Sequence, residues 1–556
     1  MKISLKKQAF AVLAASALVL TGCSSSDSNG QGADIGEMKA GDYNPQDRDN
    51  IQDGGELTLA ISELPEQMLP FHANAILTST DLWRWSNPVL ALYDAEGEYT
   101  PNPDYIEDVE EEVVDGKTVV TYTIVEEANY NDGTPIDWRA FENTWKKNNG
   151  SDPDYTVNTT DGYKLVESVT AGDNDKQAVI TFDREYAWWQ SIFNTLVPPQ
   201  VETLEQFNEA YLKNVNNDWA AGPFIVENAD FNRGEFTLVK NDKWWGDEAK
   251  LDKISFRAME DQASLNAFRA GEIDATGVAN RERYNTAQEM GDQAEIRTAT
   301  STANRLITLN SDAPVLGDDQ VREAIFDAID RAQLADIRFN GLDYSEPLPG
   351  SFVNYSFQDG YEDNVEGIVD FDPEKANRLL DEAGWEQDGQ FRTKDGETLA
   401  LRYVMFGDDP LIKALAAAMQ SMLADVGIQL NVEEKASSDF SNVMSERDFD
   451  MIFSGYASID PYGVAGFAQI YASDSTLNKS GTGTPEIDEK IAELEAIGDP
   501  DEAIKRANEI EKDAMRNYGI LPILNGPNII AVKPGLANFG PKGFAVVQPQ
   551  NVGWEK

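Results

Sequence analysis

The sequence predicts an α/β protein, and three observations carry that expectation. Short stretches of alternating apolar and polar residues recur along the chain. Helical patterns with clear starts and stops lie between them. One region, roughly Pro88 to Thr195, is strand-rich with few helical signals. Strands that alternate with helices pack as α/β layers over a common core.

The first alternating stretch is Gly55-Glu56-Leu57-Thr58-Leu59-Ala60-Ile61. Thr118-Val119-Val120-Thr121-Tyr122-Thr123-Ile124 and Ala178-Val179-Ile180-Thr181-Phe182 repeat the pattern, then Phe236-Thr237-Leu238-Val239 and Ile254-Ser255-Phe256-Arg257. Such alternation places one side-chain set on a core face. Gln262 to Ala270 reads as a helix stopped by Gly271. Val321, Ala324, Ile325, Ala328 and Ile329 recur at helical spacing. Asp372-Pro373 opens another helix, with Asp as N-cap and Pro in the first turn, and Gly384 ends it. Leu411 to Val426 is a long apolar-faced helix ended by Gly427, and Ile428-Gln429-Leu430-Asn431-Val432 is a strand. No internal repeat is evident.

The first residues carry an address. Lys2, Lys6 and Lys7 precede an uncharged apolar run, Ala9 to Leu20. That is the layout of a secretory signal peptide. The run is too short to span a bilayer, which takes about 20 residues. It ends in Leu20-Thr21-Gly22-Cys23, then Ser24-Ser25-Ser26, and this resembles a bacterial lipobox. The resemblance implies lipidation of Cys23 after removal of residues 1–22. Cys23 is the only cysteine, so no internal disulfide is available. The expected product is anchored to the membrane and not embedded in it. Residues 23–53 are polar and poor in aliphatics, and read as a flexible tether.

At 556 residues, with 11 Trp, 19 Tyr and 24 Phe, the chain can bury several cores. Its formal charge of −53 sets it against nucleic acid and anionic lipid. The densest acidic cluster is Glu107-Asp108 with Glu110-Glu111-Glu112, read as a solvated face. The single histidine, His72, excludes His-based triads and His-rich zinc sites. No Cys-x-x-Cys and no phosphate-binding Gly-Lys-Ser/Thr loop is present. Neither a cofactor nor a metal site is expected.

Five blocks then occur in order. The first runs from Tyr122-Thr123-Ile124 through Tyr130-Asn131-Asp132-Gly133-Thr134-Pro135-Ile136 to Trp145. The second is Ala221-Gly222-Pro223-Phe224, Asn241-Asp242-Lys243-Trp244-Trp245-Gly246, Leu251-Asp252-Lys253-Ile254 and Gly271-Glu272-Ile273-Asp274. The third is Leu309-Asn310 with Asp319 to Arg331, and the fourth Asp372 to Trp385. The fifth is Asp448-Phe449-Asp450-Met451-Ile452 to Gly455-Tyr456-Ala457-Ser458-Ile459-Asp460-Pro461-Tyr462. From about Leu57 to Lys542 the chain resembles the extracytoplasmic solute-binding proteins of peptide and nickel ABC importers, bacterial solute-binding protein family 5. Asn131 stands where relatives often carry histidine.

The resemblance implies a two-lobed, periplasmic-binding-protein-like fold (type II, cluster C) with an extra strand-rich domain in the first lobe. The expected boundaries are 54–87, 195–305 and 505–556 for lobe I, 88–194 for the strand-rich insertion and 306–504 for lobe II. The implied function is a non-enzymatic receptor, acting as a monomer on the outer face of the cell membrane. It would enclose a small solute, most commonly a peptide, and deliver it to a permease and its ATPase. In peptide-binding relatives an aromatic and an Asp follow the strand of the fifth block, and the Asp pairs with the ligand ammonium. Tyr456 matches the aromatic; Asp460 stands one residue off the usual spacing. Trp83, Trp85 and Asn310 fall where relatives line the cleft. A sugar, an opine, a metal chelate or haem is the alternative ligand, and a sensory receptor the alternative role. A secreted hydrolase using paired carboxylates is the rival from another class.

Overall fold

The computed structural model describes Ile35, Gly36 and residues 38–556. Residues 1–22, Cys23 and the start of the expected tether lie outside the described residues.

The main sheet has seven strands, in the order Glu295–Thr300, Pro527–Val532, Ala275–Gly277, Glu56–Ile61, Lys253–Ala258, Glu235–Lys240, Phe224–Asp230. Glu56–Ile61 pairs in parallel with Lys253–Ala258, from Glu56↔Lys253 to Ile61↔Ala258. A five-stranded sheet runs Gln429–Lys435, Ala400–Phe406, Met451–Ala457, Ala303–Leu309, Ile520–Leu524. A four-stranded antiparallel sheet runs Ile106–Val114, Lys117–Ile124, Gln177–Phe182, Val166–Ala171. Lys117–Ile124 buries every second residue, as its alternation requires. A fully buried aliphatic contributes ~1.5–3 kcal/mol, against ~0.5–1.5 kcal/mol net for a hydrogen bond. Apolar alternation therefore decides which face of each strand turns inward.

Two large cores result. Leu306, Val321, Ala324, Leu401, Met419 and Ile510 belong to the core of the five-stranded sheet, the second lobe. Leu57, Phe224, Leu238 and Ile254 share the other with Val120, Tyr122 and Ile180 of the four-stranded sheet. The strand-rich region is thus a layer on the first lobe's core, not a body with a separate one. Trp244 and Trp245 clasp Tyr105 from two sides, ring centroids 5.5 and 5.4 Å away. Asn131 accepts from Asn241 Nδ2 at 3.0 Å and donates to the Asn217 carbonyl at 2.7 Å, which fixes the Asp132-Gly133 turn to that corner.

The chain crosses between lobes twice, from Thr300 to Ala303 and from Leu524 to Pro527. The two crossings touch: Asn525 Nδ2 donates to the Ala303 carbonyl at 3.0 Å. Gly526 has a φ of +78° there, a conformation that favours glycine. Two short adjacent connectors can absorb a rotation that packed lobes cannot.

Two expected boundaries change. Residues 505–524 belong to the second lobe, not the first. Helix Pro500–Met515 buries Ala503, Ala507, Ile510 and Ala514 in that core, and Ile520–Leu524 pairs with Ala303–Leu309 at Ile307↔Leu521. Glu511 of the same helix is fully buried and accepts from Ser351 Oγ, the Phe352 N–H, Asn364 Nδ2 and Tyr471 Oη at 2.5–2.8 Å. The expected tether also ends early, because residues 38–53 pack on the body. Lys39 bridges to Ala299, Asp42 Oδ2 accepts from Thr298 N at 2.9 Å, and Ile51 is fully buried. Few aliphatics are needed, since main-chain and Asn/Asp bonds do most of the tying.

Candidate binding site

Helix Leu77–Ser86 supplies the first wall. Ser79 Oγ accepts from the Ile76 N–H at 3.1 Å, closing the first turn, and Asn87-Pro88 ends the helix. Ser79, Leu82, Trp83 and Ser86 face the core. Leu77, Asp81 and Arg84, at i, i+4 and i+7, share the other face, and Leu77 stays 46% exposed. Arg84 reaches only to 3.9 Å from Asp81, a loose surface pair worth little.

The second wall is the end of strand Met451–Ala457. Gly455 and Ala457 are exposed, and Ile459 beyond them is 44% exposed. Asp460 Oδ1 accepts the Tyr462 N–H at 2.9 Å. Burial pushes the Asp460 carboxyl up to about 6, against the pull of that N–H and of Arg84 across the gap. Tyr462 presents its ring to Tyr93 and Trp188, with centroids 6.0 and 6.1 Å apart. Tyr355 donates to the Thr302 carbonyl at 2.5 Å and lies 2.9 Å from Ser458 Oγ, so the loop before Asp460 is tied to the first crossing. Gly463 makes this path possible: a Cβ there would lie 1.5 Å from the Val353 carbonyl oxygen.

Lys542, from the C-terminal part of the first lobe, completes the arrangement. Burial, helped by Arg84 and opposed by Asp81, pulls its ammonium down to about 8. Beside Pro461 and Tyr462 opens a cleft of 500 Å³, lined also by Trp188, Phe357, Gln358 and Thr300. That lies within the ~300–1,000 Å³ usual for ligand pockets.

Among the expected residues, Asp460 directly precedes Pro461 and Tyr462, which line this cleft. Tyr456 points off the other side of its strand, where its ring meets Phe352 at 6.3 Å and its hydroxyl donates to the Leu477 carbonyl at 2.6 Å. The expectation for Trp83 and Trp85 is corrected. Trp83 is 3% exposed, packs on Tyr211 and donates to Thr195 Oγ1 at 3.0 Å. Trp85 sits edge-on to Phe224 and Phe256. The helix period turns both inward and leaves Arg84, between them, facing Asp460. Asn310 is corrected too: Nδ2 donates to the Arg447 and Phe449 carbonyls and Oδ1 accepts from Arg447, which makes it a loop clip. Arg84 was findable from the i, i+4, i+7 stripe. Tyr355 and Lys542 carry no local signal, because topology alone brings them here.

His72 packs on Phe207 and accepts from the Asn74 N–H at 3.1 Å. Among the described residues no group of three or more His, Cys, Asp or Glu is placed to hold a metal ion. No described helix is long and apolar enough to cross a membrane.

Two lobes, a double crossing and an aromatic gap with a half-buried carboxylate describe a protein that encloses a small solute. The chain belongs to the bacterial extracellular solute-binding proteins, family 5, whose middle region matches residues 100–478. The oligopeptide-binding protein OppA of Mycobacterium tuberculosis is 34% identical over 554 residues, spanning 97% of this chain and 92% of that protein. Among solved structures, the periplasmic EDTA-binding protein EppA has a TM-score of 0.78 at 23% identity, covering 93% of this chain and 98% of its own. The oligopeptide-binding protein AppA of Bacillus subtilis, in complex with a nonapeptide, has a TM-score of 0.77 at 18% identity, covering 91% and 100%. These two likenesses establish the two-lobed fold.

Proposed function

We propose that this protein is the lipid-anchored, extracytoplasmic receptor of an ABC importer, and that it captures short peptides between its lobes and passes them to the permease. The observation that carries the reading is Asp460. Its carboxyl is held near 6 by burial and has no ion-pair partner among the described residues. An unpaired buried carboxylate is costly, and a ligand ammonium relieves that cost. Ring faces of Tyr93, Tyr462 and Trp188 beside it suit both a cation and apolar side chains. Strand Met451–Ala457 pairs with Ala303–Leu309 on one side but with Ala400–Phe406 only at Met451 and Ile452, so residues 453–457 offer a strand edge to a peptide backbone whatever its side chains. The 34% identity to an oligopeptide-binding protein supports the same class.

Besides ring contacts such as Tyr462 on Tyr93 and Trp188, the lobes meet through polar contacts that include Ser437 N to Glu260 at 2.9 Å, Gln469 N to Asp161 at 3.0 Å and Lys164 to Glu495 at 2.7 Å. Each is worth ~1 kcal/mol net. Such contacts leave closure reversible, and a ligand that touches both lobes shifts the population towards the closed form. Lipidation of Cys23 rests on Leu20-Thr21-Gly22-Cys23. The test is native mass spectrometry of the purified protein, followed by denaturing identification of what leaves the cleft. Short peptides of mixed sequence are expected. A single sugar, opine or chelate would sink the peptide assignment.

A further inference from the structure

Arg305 is a cation without a counter-ion. It lies on strand Ala303–Leu309 opposite Gly455, and a Cβ on Gly455 would come within 3.0 Å of its Nη1. The glycine thus leaves the room the guanidinium fills. Arg305 is exposed to the gap, yet the protein around it is dense enough to pull its pKa down. Its guanidinium makes no hydrogen bond or ion pair with any described residue.

That is unusual in a chain with 98 acidic and 45 basic side chains. Many other basic groups find acids, as Arg402 meets Asp448 at 2.7 Å and Lys375 meets Glu323 and Asp327 at 2.7 and 2.9 Å, or carbonyls, as Arg322 meets those of Asn517 and Leu316. Arg338, which feels the field of Arg305, reaches the Ala279 carbonyl and has Asp409, Glu346 and Asp261 to offset it. Arg305 has none of these in its field.

Lys542 is in the same condition. It lies in the fields of Arg84 and Asp81 but bonds to neither. The Tyr355 hydroxyl lies in the fields of both Asp460 and Arg305. The Phe544 ring, two residues from Lys542, stands 6.2 Å from the Tyr355 ring. Arg305, Asp460, Arg84 and Lys542 therefore front one gap. Its cations are Arg84, Lys542 and Arg305, with Lys39 held by Asp42; its carboxylates are Asp81 and Asp460, with Glu96 and Asp359 lining the adjoining cleft. Where the lobes meet the charges are mixed, and Arg305 and Lys542 are the two cations facing this gap whose side chains bond to no acid among the described residues.

We infer that the gap selects ligands of net negative charge: short peptides that carry an Asp or Glu side chain as well as a free C-terminus, with their carboxylates taken by Arg305 and Lys542. This rests on the peptide-binding reading above. A neutral zwitterion supplies one carboxylate and leaves a second cation enclosed and unpaired, which costs free energy in the closed state only. An acidic peptide satisfies both, and a bidentate guanidinium–carboxylate pair is among the stronger contacts available. The preference is local, because the long-range field of the whole chain opposes anions.

The experiment is calorimetric titration of the full chain, freed of carried-over ligand, with the tripeptides Ala-Glu-Glu, Ala-Gln-Gln and Ala-Lys-Lys. Ala-Glu-Glu is expected to bind tighter than Ala-Gln-Gln by roughly 10-fold or more, as one added charge-assisted pair gives. In Arg305→Gln that ratio falls towards one. If Arg305→Gln does not melt cooperatively, Lys542→Gln takes its place and the same fall is expected. Equal affinities, or tighter binding of Ala-Gln-Gln or Ala-Lys-Lys, overturn the charge preference and leave the peptide reading standing. An unchanged ratio in both variants overturns the residue assignment. Binding of none of the three overturns the peptide reading, and this inference with it.

Discussion

Ser441 donates its hydroxyl to Glu63 Oε1 at 2.7 Å, and that bond joins the second lobe to the first. Glu63 is 4% exposed, and burial pushes its carboxyl up to about 7 from an ordinary 4.5, with Asp439 and Glu66 adding to the rise. A raised carboxyl stabilises the folded contact fully below about pH 4.5, and that contribution is lost as pH rises through 7. Asp161, which takes the Gln469 N–H, is also held near 7 by burial.

Glu63→Gln keeps an acceptor for Ser441 and removes the titration. The variant and the parent should melt together at pH 5. At pH 8.5 the variant should melt higher by about 1–2 °C, the shift that ~2 kcal/mol gives in a chain of this size. Differential scanning calorimetry across that range checks it, and a constant offset between the two proteins would show that Glu63 does not titrate as described.

Asp460 predicts a pH-dependent affinity. A ligand ammonium favours the ionised carboxylate, so binding at pH 6 should release a fraction of a proton. Peptide affinity should be greatest near pH 7, fall by up to ~10-fold per unit below 6, and fall again above about 8 as the peptide ammonium loses its proton. Asp460→Asn should flatten the profile and cost ~10–100-fold at pH 7.5. N-acetylated peptides should lose as much in the parent protein. Calorimetry in two buffers of different ionisation enthalpy reads the proton directly, and proton uptake in place of release would refute the pairing.

Trp83→Ala should cost ~3–5 kcal/mol, the usual loss for a buried aromatic, because it empties a site between Leu82, Tyr211 and Thr195. The melting temperature should drop by a few degrees, while saturating peptide still raises it. A variant that melts like the parent but gains nothing from peptide would return Trp83 to the cleft wall.

Cys23→Ser should free the protein from the membrane fraction without changing its melting or its affinity for peptide. Fractionation and labelling with a radioactive fatty acid measure it. Retention of the variant on membranes would mean that something other than Cys23 holds it.

Much of the fold was legible because its signals are local. Lys117–Ile124 alternates strictly, and Asp372 caps its helix by accepting the Lys375 N–H at 2.8 Å, as Asp-Pro announces. Helix Pro500–Met515 was misassigned because an amphipathic face does not say which core it meets. Residues 38–53 hid their packing because Asn44, Asp42 and Lys39 work through bonds to residues some 250–500 positions away. The site was least legible. Asp460 follows a recognisable strand, but its neighbours come from Arg84, Tyr355 and Lys542, which meet only when two lobes are folded together. Trp83 and Trp85 pack inward, and the arginine between them turns towards Asp460.

The pairing of Lys39 with Ala299 has a mechanical consequence. Ile35 is already buried against the first lobe's Phe268, Ile273 and Ile529, and Lys39 lies at the strand that leads into the first crossing, so a lipid on Cys23, as proposed above, would pull on the first lobe close to the pivot. A pull applied there has almost no lever arm about the hinge axis. Drag on the anchored body would translate the protein as a whole and exert little torque on either lobe. Opening and closing would then be governed by what sits in the gap, and not by how hard the membrane tugs.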